Sequence, residues 1–90
     1  SAGVIAVLSS LSELDLGILR CTAAGLTSKE IAPIVGRSHH TVDDRLKVIV
    51  RRLGCRARQQ AGRMLLLHES GLDPLSDWGP QTSALVANRG

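Results

Sequence analysis

"TSKEIAPIVGRSHHTVDDRLKVIVRRL", residues 27–53, holds two helix openings in quick succession. Thr27 stands three residues before Glu30, the spacing at which a hydroxyl caps one end-turn amide while the carboxylate reaches back to the cap's own N–H. Ile31, Ile34 and Val35 follow at helical spacing, and Gly36 can adopt the left-handed conformation that closes a helix. Ser38 opens the second segment, where Val42, Leu46, Ile49 and Leu53 recur at steps of four, three and four. Gly54 ends it. These patterns predict a short helix over 27–36 and a longer one over about 39–53, joined by "GRS". Pro33 lacks the amide that would bond residue 29, which predicts a kink or an early 3₁₀ ending in the shorter helix.

The flanking segments have the same grammar. "LSELDLGILRCTAAG", residues 11–25, places Leu11, Leu14, Ile18, Leu19 and Cys21 near helical spacing, with a capping-box-like Ser12 and Asp15 at one end and Gly25 at the other. "CRARQQAGRMLLLHES", residues 55–70, supplies a fourth helix with Ala57, Ala61, Met64, Leu65 and His68 on one side and Gly71 as its stop. Two short helices joined by a tight turn, the second bearing cations on its outer face, describe a helix-turn-helix. The expected fold is therefore all-α, a small four-helix helix-turn-helix domain with an extended C-terminal tail. Its expected organisation is an N-terminal extension at 1–10, the domain at 11–70, and at 71–90 a tail or arm rich in Gly, Pro, Ser and Asp. No internal repeat interrupts this order.

Composition narrows the function. Ninety residues suit one domain with a modest core, and the hydrophobic share of 43%, with no Phe, no Tyr and one Trp, makes that core aliphatic. The lack of aromatic rings argues against RNA-binding sheets and single-strand-binding folds, which stack bases on them. The net charge is +3, but residues 37–63 carry eight cations against two anions, Asp43 and Asp44, whereas the remainder carries three cations and six anions. Such a clustered basic stripe is the electrostatic footprint of a nucleic-acid surface. Cys21 and Cys55 have no CxxC spacing and read as reduced, small apolar residues of a cytoplasmic protein, Cys55 buried rather than redox-active. "GVIAVL" is too short to span a bilayer, so no membrane association is expected.

The chain resembles the LuxR-type (GerE-type) DNA-binding domain of bacterial transcription regulators. The resemblance rests on Leu11, Ser12, Leu19, Ala23, Gly25, the run "SKEIA" from Ser28 to Ala32, Ser38, Thr41, Val42, Ile49, "RLG" from Arg52 to Gly54, Arg58 and Ala61. It covers over half the chain. It implies four helices, the third in the major groove of double-stranded DNA and the fourth, about 56–69, supplying a homodimer contact. It places base-facing and phosphate-facing positions on Asp43, Asp44 and Lys47, with helpers near Lys29 and the helix starts. The sequence departs from the pattern at Asp43, where the family has a cation, at Arg45, where it often has histidine, and at Pro33.

At 100° per residue, the face opposite Val42, Leu46, Ile49 and Leu53 holds His40, Asp44, Lys47, Val48 and Arg51. Asp43 falls on one flank, Arg45 and Arg52 on the other. Asp43 stands four residues before Lys47, the order in which helical ion pairs form. The aspartates have three readings: they stabilise the positive end of the helix dipole, they select a base by accepting from cytosine N4, or they meet a protein. The residues expected to bind DNA are Lys29, Ser38, His40, Thr41, Asp44, Lys47, Arg51, Arg52, Arg56 and Arg58. Arg58 has a second reading as an ion-pair partner that bridges helices.

No phosphate-cradling Gly-rich loop, nucleophile–base pair or metal cluster stands out, so neither an enzyme nor a cofactor site is expected. His39 and His40 lie four residues before Asp43 and Asp44, but a third metal ligand is not evident. "TVDDRLKVIVRRLG" is also similar to the last helix of a sigma factor's region 4. That alternative implies docking on RNA polymerase or another protein, with DNA contact secondary or absent. Trp78 in the tail would then be an interaction point; otherwise it folds back over an apolar patch. The expected location is the cytoplasm, in association with the nucleoid.

Overall fold

The apolar run near the N-terminus, "GVIAVL", forms a helix of its own, α1 (Ala2–Ser9), ahead of the four predicted ones. The computed structural model describes residues 2–76. After α1 come α2 (Glu13–Ala23), α3 (Ser28–Val35), α4 (His39–Leu53) and α5 (Arg58–Glu69), with no strand among the described residues. The architecture is all-helical as expected, but with five helices rather than four. The physical reason lies in burial: Leu8 retains 3% of its surface, and Val4 and Val7 pack against the same core. A helix so uniformly apolar gains by docking on the domain, which periodicity alone did not reveal.

The helix starts follow the sequence closely. Ser12 Oγ accepts from the Asp15 N–H at 3.1 Å and opens α2. Thr27 and Glu30 form the complete reciprocal box at α3, with Glu30 N–H on Thr27 Oγ1 at 3.2 Å and Thr27 N–H on Glu30 Oε1 at 2.8 Å. Ser38 Oγ caps α4 by accepting from the Thr41 N–H at 3.2 Å. Gly36 (φ 71°) and Gly54 (φ 72°) close α3 and α4 in the left-handed region, where a side chain would be strained.

Three expectations change. α3 continues as α-helix through Pro33 to Val35, because in the last turn of so short a helix the proline forfeits a single bond, and the amides of Gly36 and Arg37 both close on the Ala32 carbonyl. Ile34, grouped by its spacing with Ile31 and Val35, is 62% exposed, whereas Ile31 is buried. α5 begins at Arg58, not Cys55. Residue 55 still serves the end of α4, its N–H bonding the Val50 carbonyl at 3.0 Å, and the Gln60 side chain turns back to accept the Arg56 N–H at 2.8 Å. Ala57 therefore remains outside the helix and exposed.

The core is aliphatic. Ile18 and Leu19 of α2, Ile31 of α3, Val42, Leu46, Ile49 and Leu53 of α4, and Ala61, Met64 and Leu65 of α5 are all buried. α2 and α5 form the closest pairing, with Gly62 brought against the backbone of Ala23. The segment after α5 keeps to the domain for a few residues: the Leu72 N–H reaches the Leu67 carbonyl at 2.8 Å and Pro74 is buried. The rest of the predicted tail, from residue 77 on and including Trp78, lies outside the described residues.

Candidate nucleic-acid interface

α3 and α4 carry the helix-turn-helix. Ile31 of α3 is buried in the common core, and Val42, Leu46 and Ile49 bury the inner face of α4 there. The outer face is thereby fixed by geometry: His40, Asp44, Lys47 and Arg51 are exposed and Val48 is half-buried. Lys29, in the first turn of α3, is exposed, as is Ser38 at the mouth of α4, whose hydroxyl also donates to Thr41 Oγ1 at 3.2 Å. Arg56 projects from the loop between α4 and α5. Arg52, also exposed, turns toward α1 and donates from Nη2 to Ser10 Oγ at 3.2 Å.

The four charges at 43, 44, 45 and 47 divide by position. Both flanking ones are tied to the domain. Arg45 forms a two-pronged ion pair with Asp15 of α2, Nε and Nη2 each 2.9 Å from a carboxylate oxygen. Asp43, expected to pair with Lys47, pairs instead with Arg58, whose Nη2 donates to Oδ1 at 3.1 Å, and accepts from the hydroxyl of Ser28. Arg58 thus takes the helix-bridging role that its charge also allowed. The hydroxyl of Ser28 and the guanidinium of Arg58 hold the Asp43 carboxyl below the usual carboxylate range. Asp44, Lys47 and Arg51 make no ion pair with another described residue, so their charges are directed outward.

Sequence reasoning offered Arg58 as a helix bridge but could not name the partners of Asp43 and Arg45, because residues 15, 28 and 58 lie many turns away in the chain. The one signal available was their chemistry: an aspartate at residue 15 inside an apolar stripe requires a cation. His39 and His40 stand with ring centroids 4.2 Å apart, and among the described residues no group of three potential metal ligands gathers. Nor is any helix among those residues long and apolar enough to cross a membrane.

A family model described as bacterial regulatory proteins, luxR family, matches residues 9–65, more than half of the chain. The chain belongs to the luxR family of bacterial regulatory proteins. The luxR-family match begins at the end of α1, so α1 precedes the family unit almost entirely while packing on its core. A luxR-family helix-turn-helix is a DNA-binding module of transcription regulators rather than an enzyme family. No curated protein and no solved structure matches the chain.

Proposed function

We propose that this domain binds double-stranded DNA sequence-specifically as a transcription regulator, with α4 in the major groove. The observation that carries the reading is the sorting of charge on α4. The flanking Asp43 and Arg45 are pinned to the domain, while Asp44, Lys47 and Arg51 face outward with no ion-pair partner among the described residues. An α-helix fits the major groove, where such side chains reach base edges. Lys47 donates to guanine O6 or N7, Asp44 accepts from cytosine N4, and Arg51 grips the backbone beyond them. His40 and Thr41 approach from the start of α4.

Phosphates are held around this face by Lys29, by the Ser38 end of α4, and by Arg52 and Arg56. Arg58 adds its charge at the edge, with donors to spare beyond its bonds to Asp43 and Ser28. Two copies pair through α5, whose Leu66 remains 45% exposed. The domain works on the bacterial chromosome, in the cytoplasm at the nucleoid.

The test is selection of binding sites from a random duplex pool, followed by titration of the selected site and a random duplex at two salt concentrations. Recovery of a consensus bound more tightly than the random duplex, with affinity falling as salt rises, supports the reading. If no consensus emerges while immobilised RNA polymerase retains the domain, the sigma-like alternative replaces it.

A further inference from the structure

Ser28 and Arg58 are the first residues of α3 and α5 and Asp43 lies about one turn into α4, yet their side chains meet. Arg58 Nη1 donates to Ser28 Oγ at 2.6 Å, the Ser28 hydroxyl donates to Asp43 Oδ1, and Arg58 Nη2 closes the ring on the same oxygen at 3.1 Å. Every donor in the ring has an acceptor, and each bond has an ionic member or is polarised by one. Asp43 keeps 36% of its side-chain surface and Arg58 33%, so the ring lies at the rim of the DNA-facing side.

The apolar packing of Ile31, Val42 and Leu46 holds α4 against the domain and sets which face turns outward, but it tolerates small shifts in angle that a directional bond does not. Charge-assisted hydrogen bonds are directional. We propose that Asp43 is a positioning residue: through Ser28 and Arg58 it fixes the leading turns of α4 relative to α3 and α5, and so sets the direction in which Asp44 and Lys47 meet the bases. The inference rests on the DNA-reading role of α4. In this chain an internal anchor occupies the site at which the family resemblance implies a phosphate-gripping cation. The aspartate that looks hostile to DNA is turned into the protein.

A partly exposed ion pair contributes little to global stability, whereas a free carboxylate beside phosphates would weaken all DNA binding. The positioning role and simple repulsion therefore predict opposite signs. The experiment compares the wild-type domain with Asp43→Asn, Ser28→Ala and the double variant, each melted thermally and titrated against the selected duplex and a random duplex of equal length.

Positioning requires that Asp43→Asn lower the ratio of selected to random affinity about five- to tenfold. Ser28→Ala lowers it in the same direction, and the double variant loses less than the product of the two. Asp43→Asn that tightens both duplexes equally, or independent effects of the two substitutions, overturns the proposal. Ser28→Ala leaves both charges in place and decides the matter if Asp43→Asn fails to fold. A wild-type domain that selects no site removes the DNA reading and this inference together. A wild type that selects a site while both variants keep its ratio removes the positioning role alone.

Discussion

Arg45 reaches across 30 residues of sequence to Asp15, its Nε and Nη2 each 2.9 Å from a carboxylate oxygen, and the Asp15 side chain retains 4% of its surface. Burial pushes the Asp15 carboxyl up, but the hydrogen bonds and charge of Arg45, with help from Ser12, outweigh it and hold the group below its ordinary range. A folded-state pKa below the unfolded one gives stability that is present above about pH 4 and lost as the pH falls through the folded value. Asp15→Asn should cost about 2 kcal/mol at pH 7, less than a fully buried pair because Arg45 is 37% exposed. The gap between the two proteins should close in acid, where the wild-type carboxyl is protonated. A gap of constant size from neutral pH to about pH 2.5 in urea titrations would rule out this assignment.

Gly62 makes the close approach of α2 and α5 possible. A Cβ built there would lie 2.9 Å from the Ala23 nitrogen and 3.1 Å from its Cα, and backbone atoms cannot swing aside as a flexible side chain does. Alanine favours helix by about 1 kcal/mol over glycine, yet Gly62→Ala should destabilise by about 1–3 kcal/mol net of that gain. Thermal melting checks it: an unchanged or raised Tm would mean that the helices can separate freely.

Leu8 joins α1 to the core. Leu8→Ala should cost about 2–3 kcal/mol, the loss of a buried side chain with partial collapse of the space. Urea unfolding reads the change as a lower midpoint. If the midpoint does not move, α1 is a passive appendage to the domain.

Lys47 and Arg51 put positive charge on the outer face of α4 with no ion-pair partner among the described residues. Replacing either with alanine should weaken duplex binding and reduce the slope of log affinity against log salt by about one. Fluorescence anisotropy at several salt concentrations measures both. Unchanged affinity and slope in both variants would exclude groove entry by this helix.

Asp44, an acceptor among cations, should behave differently from Lys47 and Arg51. Asp44→Ala should relax the preference at one base pair by about 1–3 kcal/mol while leaving the others unchanged. Repeating the site selection with the variant reads this directly. Uniform tightening at every position would instead mark Asp44 as a source of general repulsion.

Much of this protein was legible locally. Thr27 with Glu30, Ser12 and Ser38 as caps, Gly36 and Gly54 as stops, and the inward set Val42, Leu46, Ile49 and Leu53 all follow from interactions within four residues, which sequence spacing states outright. The same spacing put Asp44, Lys47 and Arg51 on the outer face of α4, since an inward stripe determines what lies opposite it. Tertiary structure decided the fate of the charges beside that face. Lys47 one turn away was the local partner for Asp43, but Ser28 and Arg58 offer a guanidinium and a hydroxyl at once. Asp15, nearly desolvated, needs Arg45 more than solvent does. It also decided the place of α1, whose apolar run has no polar face from which a direction could be read, and which finds its place only by packing on α4 and α5 with Leu8 buried.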